Sequence, residues 1–306
     1  MCAGTMPVHN RKRKRPRLRG AIHRRTSWMP SSAKAEVNRR FTWRQSCGGT
    51  SHMKLAILSF VLCAAAGAQS ALTIENSATA TTGPVAPDSA VSAFGSGLAT
   101  QTAVATELPL PTTLAGITVQ VTDSANHTSA AGLIFVSPSQ INFVVPANVA
   151  TGTAKVAVQL NSTVVAQGTA QVQAAAPGLY AATGNGKGPA AALAVQIAAV
   201  VGPQNIFPTF TCDLPFQTCH VIPLQLGVDT PLFVALFGTG IRGAKKVTVT
   251  VGGHDVPVLY AGSELVFPGL DQVNIPILLT LRGAGLVDVV VTADGQASNP
   301  VQILIQ

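Results

Sequence analysis

Gly238-Thr-Gly-Ile-Arg-Gly243 is the pattern with the clearest chemical meaning: it satisfies G-x-G-x-x-G, follows an apolar run and has Asp255 downstream. In a dinucleotide site the last glycine opens a helix whose N-terminus meets the pyrophosphate. Here Ala-Lys-Lys-Val-Thr-Val-Thr-Val251 follows, an alternating strand, so the glycines read as a turn between strands. A second group is Asp271-Gln272-Val273-Asn274, echoed earlier by Gln140 and Asn142. In a strand Gln272 and Asn274 share one face, and Asp271 and Val273 the other. Repeated amides at equivalent places predict a structural role, bonding loop backbone that burial would otherwise leave unpaired.

Other reactive side chains are sparse. Cys212 and Cys219 bracket Asp-Leu-Pro-Phe-Gln-Thr, and in an oxidising compartment such a pair is expected to form one local disulfide. A metal site using Cys212, Cys219 and His220 lacks a fourth ligand along the chain. His127, His220 and His254 form no H-E-x-x-H pair, and there is no G-x-S-x-G elbow. The acids are too scattered to mark a glycosidase pair, and no D-x-[DN]-x-[DN]-G loop appears. Tyr180 and Tyr260 are the only tyrosines, and the phenylalanines sit mostly in apolar runs suited to a core, giving little support for an aromatic sugar platform. No catalytic, cofactor or metal residue is expected, and the chain reads as a non-enzyme.

These groups sit on short alternating runs. Ile117–Asp123, Ala130–Val136, Gln140–Val145, Thr153–Leu160 and Val164–Val172 read as strands, with Ser89–Phe94 before them stopped by Gly95-Ser-Gly97. A second series reads Pro231–Phe237, Val247–Val251, Asp255–Tyr260, Gln272–Ile277, Leu286–Thr292 and Val301–Ile305. Gly238-Thr-Gly240 matches Gly95-Ser-Gly97, and the two series keep nearly the same spacing, as a duplication would. Strands this short, separated by Gly, Pro and Asn turns, predict all-β architecture: two tandem immunoglobulin-like antiparallel β-sandwiches, residues 72–173 and 174–306. Residues 184–225 stand out in the second as an insertion without counterpart in the first.

Charge divides the chain differently. Residues 1–52 hold 13 of the 20 Lys and Arg and one acid, while residues 53–306 hold 7 basic and 11 acidic side chains, a net of −4. Met53-Lys54 leads into Leu55-Ala-Ile-Leu-Ser-Phe-Val-Leu62 and a small-residue stretch, the pattern of a secretory signal cleaved near Ala68. The apolar run is shorter than the roughly 20 residues a membrane-spanning helix needs. Signal peptides stand at a true N-terminus, so Met53 is the expected start and residues 1–52 a basic extension outside the natural protein. Cys63 then leaves with the signal, and the mature chain is secreted or held at the cell surface with no transmembrane segment.

At Ala176-Pro-Gly-Leu-Tyr180, Leu236-Phe-Gly-Thr-Gly-Ile-Arg242, Leu259-Tyr-Ala-Gly262, Gly269-Leu-Asp-Gln-Val-Asn274 and Ser298-Asn-Pro300 the chain resembles the C-terminal domain of unknown function found in Solibacter and other Acidobacteria. The resemblance covers about residues 174–306; the first unit shares it more loosely, and both are similar to immunoglobulin-like IPT/TIG modules. It implies a sandwich fold and an extracellular location, and carries no catalytic or binding residue. The expected function is a secreted or cell-surface module of binding, adhesion or structure, with an extracellular protein or polysaccharide as partner, no nucleic acid, and the 184–225 segment as candidate surface. The alternatives are a cell-envelope enzyme acting on polysaccharide or, if residues 1–52 are retained, a nucleic-acid binder using Arg11–Arg19.

Overall fold

Strand alternation decides what is buried. In Ile117–Thr122 the side chains of Ile117, Val119 and Val121 point inward, and in Asp271–Ile277 those of Asp271, Val273, Ile275 and Ile277 do, as the two-residue period of a half-buried strand requires. A computed structural model describes residues 70–197, 204–213 and 218–306. The basic extension, the signal sequence and Cys63 lie outside the described residues. Among those described, one 3-10 turn at Leu279–Leu281 interrupts the strands and no α-helix occurs; no helix is long and apolar enough to cross a membrane.

Four larger sheets close on two hydrophobic cores. The first core lies between a sheet built on Thr73–Asn76, Ala90–Phe94, Gln140–Val144 and Gly132–Val136 and another built on Ile117–Thr122, Gly152–Leu160 and Thr163–Val172. Val91, Ile141 and Phe143 meet Val119, Val156 and Val158 there. The second core lies between Ala192–Gln196, Leu232–Thr239, Asp271–Ile277 and Tyr260–Ser263 on one side and Val247–Val251, Gly285–Ala293 and Val301–Ile305 on the other. Val234, Val273 and Ile275 meet Val249, Val291 and Ile303. Pairing is antiparallel except where Ser70–Ala71 joins Thr163–Val172 and Pro223–Leu224 joins Val301–Ile305, with two isolated parallel bridges, Val85 to Val172 and Pro189 to Gln302. The all-β class and antiparallel sheets are those the alternation predicts.

Two details differ from the sequence pattern. Ala130–Val136 and Asp255–Tyr260 each read as one strand, yet each stretch is divided between two sheets. Thr128–Ala130 pairs with Ile117–Thr122 while Gly132–Val136 pairs with Gln140–Val144; His254–Val256 pairs with Val247–Val251 while Tyr260–Ser263 pairs with Asp271–Ile277. Pro257, which has no N–H to give a ladder, breaks the second stretch. In the first, Ala131 is fully buried at the crossing, so burial runs unbroken through the change of sheet.

The second difference concerns residues 184–225. Ala192–Gln196 pairs with Leu232–Thr239 and with Asn205–Pro208, just as Thr73–Asn76 pairs with Ala90–Phe94 and with Thr81–Thr82. Pro223–Leu224 runs parallel to the closing strand of its lobe, as Val85 does to Val172. Three strands of the segment therefore have counterparts in the first lobe. Among its described strands, those without one form the two-stranded hairpin Phe210–Cys212 with Cys219–Val221. Alanine is depleted in strands, which hides Ala192–Gln196 in the sequence.

Candidate functional site

The sequence-marked polar residues are bonded into the scaffold. Asp271 is fully buried at the start of its strand and accepts from the N–H groups of Ile241 (2.6 Å) and Arg242 (3.2 Å) and from Arg242 Nε (2.5 Å). Burial pushes its carboxyl above the usual carboxylate range, while those donors pull it back. The glycine pattern beside it opens no helix. Leu232–Thr239 runs straight into it, and a Cβ on Gly240 (φ +72°) would stand 2.2 Å from the carbonyl oxygen of Ala176. Asp255 is exposed on the separate strand His254–Val256.

Gln140 with Asn142 and Gln272 with Asn274 occupy the outward faces of equivalent strands. In both lobes the Gln Nε2 donates to the Asn Oδ1 two residues on, at 2.8 and 2.7 Å. Those bonds run along the strand, from side chain to side chain, where the repeat predicts a bond to loop backbone. Phe94 faces Gln140 across the first pair of strands as Phe237 faces Gln272 across the second.

Cys212 and Cys219 sit directly opposite one another in their hairpin and form a disulfide with an S–S distance of 2.04 Å. Both sulfurs are thus taken from any metal site with His220. His220 instead lies 3.6 Å from the Asp213 carboxylate, both largely exposed.

The family-like phrases converge where the lobes meet. Asn76 Nδ2 donates to the Ala176 carbonyl (3.0 Å), and Ser77 Oγ shares a 2.6 Å hydrogen bond with the Tyr180 hydroxyl. The Ala90 N–H donates to Thr239 Oγ1 (2.8 Å), which donates to the Gly269 carbonyl (2.7 Å). Asn299 accepts from Leu179 N–H (2.8 Å) and donates to the carbonyls of Leu179 and Gly186 at 2.9 and 2.7 Å. Desolvation raises the Tyr180 phenol above its ordinary value. Four of the five phrases, scattered over more than a hundred residues, thus serve one junction.

Beside this junction the surface turns apolar. Residues 264–270 close the hairpin between Tyr260–Ser263 and Asp271–Ile277. The Glu264 carboxylate accepts from Val266 and Phe267 N–H, both at 3.0 Å, the Leu265 N–H donates to Ser263 Oγ, and Glu264 N–H donates to Leu270 O. Leu265 takes a left-handed conformation at φ +81°, which costs a non-glycine residue about 1–2 kcal/mol. The loop so held exposes Leu265 at 84%, Val266 at 57% and Phe267 at 62%.

Phe267, Pro268 and Leu270 face Leu108 and Leu110 of the first lobe across a hollow of about 500 Å³. A second hollow of about 490 Å³, walled by Glu75, Ser92, Phe94, Gln140 and Asn142, shares Ala90, Ile134 and Tyr180 with it. Sharing that wall, the two adjoin as one cleft, mostly apolar at the Phe267 end, where Glu107 is the charged residue, and more polar at the Glu75 end. The sequence placed most phenylalanines in the core; among the described ones Phe143 alone is fully buried, while Phe94 and Phe267 line the cleft. Sequence reasoning missed the loop; the feature that could have pointed to it is Ser263-Glu264, whose side chains accept from N–H groups two or three residues on. No family model matches the chain, and no curated protein is significantly similar to it.

Proposed function

We propose that the chain is a secreted or cell-surface module of two tandem immunoglobulin-like β-sandwiches that binds an extracellular partner at the junction of its lobes. One observation carries this reading: the bonded loop 264–270 holds three apolar side chains in water beside an open cleft. Exposing contiguous apolar surface is unfavourable, and such patches mark interaction sites. The loops at sandwich ends are where such folds present contacts. Export is supported by the leader pattern at Met53 and by the Cys212–Cys219 disulfide, since such bonds persist in oxidising compartments. The resemblance to Acidobacterial C-terminal domains points to the same location.

Mass spectrometry of cell fractions from the natural host tests the location. The expected product starts near Gln69, lies outside the cytoplasm and carries the oxidised pair. A cytoplasmic chain beginning at Met1 with free thiols would sink the reading. Chemical cross-linking from a photoreactive residue at position 267 tests the contact: adducts with an envelope or extracellular component are expected, and adducts equally frequent from position 254, at the exposed start of the strand His254–Val256, would contradict it.

A further inference from the structure

We propose that the cleft receives an extended polypeptide segment of a partner protein, with apolar side chains at the Phe267 end and Lys or Arg at the Glu75 end. This rests on the reading of the chain as an extracellular binding module and names the chemistry of what it binds.

Three features select that occupant. Phe267, Pro268 and Leu270 with Leu108 and Leu110 present aliphatic and aromatic surface in the cleft, and Leu265 and Val266 extend it on the loop beside it, a surface that a polypeptide covers with apolar side chains of its own. Second, the bond from Gln140 Nε2 to Asn142 Oδ1 leaves the Gln140 Oε1 acceptor and the Asn142 Nδ2 donors without a bond among the described residues. An acceptor and a donor side by side complement the N–H and C=O of a peptide backbone. Third, Glu75 in the polar hollow and Glu107 at the rim of the Phe267 hollow are the charged residues lining the two, and no Lys or Arg lines either. Two acids in a cleft favour a basic segment and disfavour phosphate or an anionic lipid surface. Tyr180 borders both hollows and Phe94 lines the Glu75 one, so an apolar side chain of the occupant would rest against a ring.

The test immobilises the full chain and measures retention of synthetic dodecapeptides whose apolar half, rich in Leu and Phe, is joined to a half rich in Lys, Ser or Glu. The Lys peptides are expected to bind best and the Glu peptides at least tenfold more weakly. Phe267→Ala should weaken the Lys peptides by about tenfold, as loss of a buried aromatic anchor does. Glu75→Gln should reduce the preference for Lys over Ser several-fold, leaving only what Glu107 contributes, while keeping the apolar contribution. Phe267 is exposed and Glu75 half-buried, so both variants are expected to keep the parent's thermal midpoint to within about 2 °C, a surface-substitution effect. Equal retention of all three peptide classes would overturn the proposal and leave the binding-module reading standing. So would retention by soluble xyloglucan that is lost in Phe267→Ala, which would assign the cleft to a glycan. Failure of every probe, with cross-linking from position 267 also blank, would overturn both.

Discussion

The two lobes are built on one strand frame, and besides the disulfide hairpin they differ where the strand return beside the junction is made. In the first lobe Gly132–Val136 returns to Gln140–Val144 through Ser137, Pro138 and Ser139. Ser137 Oγ accepts from Gln140 N–H and donates to Gln140 O, and Leu98 N–H donates to Pro138 O at 3.0 Å. Every group is neutral, and Ala99 follows buried. In the second lobe the same return takes residues 264–270, and the positions of Ser139 and Ala99 are held by Asp271 and Arg242. The first lobe shows that the frame closes without an ion pair. What the pair adds is an anchor, because Arg242 Nη2 also donates to the Leu270 carbonyl at 2.8 Å, tying down the longer loop that carries Phe267. Buried ion pairs add little net stability but are costly to break on one side, which suits a device for holding one conformation.

The sharpest way to break this comparison is to remove one partner. Asp271→Ala strands Arg242 and the Ile241 N–H in a buried site, and a loss of about 3–5 kcal/mol is expected in chemical denaturation. Ser139→Ala at the matching place should cost under about 0.5 kcal/mol. Asp271→Ser combined with Arg242→Ala copies the first lobe and should recover much of the loss. If the double variant is as unstable as Asp271→Ala, the charge pair is not what distinguishes the lobes.

Next in size is the junction. A Cβ on Gly186 would lie 2.2 Å from the Thr79 carbonyl oxygen at φ +73°, whereas Gly184 at φ +71° has nothing within 4 Å. Gly184→Ala should show only left-handed strain, about 1–2 kcal/mol, and Gly186→Ala a further 1–3 kcal/mol or so from overlap. Equal losses in a denaturant titration would mean that the two lobes are not held in contact there.

Acid should separate the lobes more gently. Asp123 accepts from the N–H groups of Ala150, His127 and Ala125, which hold its carboxyl below the usual range. A depressed folded value stabilises above the unfolded pKa of about 3.9 and loses that contribution as pH falls through the folded value. Asp294, held down by Lys245 and Lys246 N–H, acts the same way in the second lobe. Asp271 is raised, so its own titration favours the folded state as pH falls and opposes that loss. Amide exchange between about pH 4 and pH 2 should therefore open the first core before the second; simultaneous opening would contradict it.

The smallest effect belongs to the disulfide. Its short loop gives less than the roughly 3 kcal/mol of a 15-residue loop, and it ties a hairpin with a sheet of its own. Cys212→Ser with Cys219→Ser should speed exchange in Phe210–Val221 and leave both cores unchanged by the same measurement.

How much of this the sequence revealed follows from range. Alternation located the strands of both cores, because burial with period two is a local signal, and it placed Gln272 and Asn274 on one face and Asp271 on the other. It did not reveal that Asp271 meets Arg242, a contact 29 residues away across the strand Leu232–Thr239. Nor did it show the change of sheet at Ala131, since a buried residue looks the same on either side of a crossing. Phe267 was hidden for the opposite reason: its exposure depends on Glu264 bending the backbone beneath it, and an apolar run in sequence carries no mark of that.

Only five residues separate the strands Thr163–Val172 and Gly178–Leu179, and hydrogen bonds from Asn76, Ala90, Ser77 and Tyr180 cross the gap between the lobes. At the Phe267 end the walls of the cleft come one from each lobe, and these bonds hold them together before any partner arrives. A partner entering it has no hinge to close and no interlobe rotation to freeze, so the ordering entropy of association falls on the partner's segment alone. Its association rate then reports how fast that segment finds the extended form, and the heat-capacity change on binding reports the apolar surface that Leu265, Val266 and Phe267 withdraw from water.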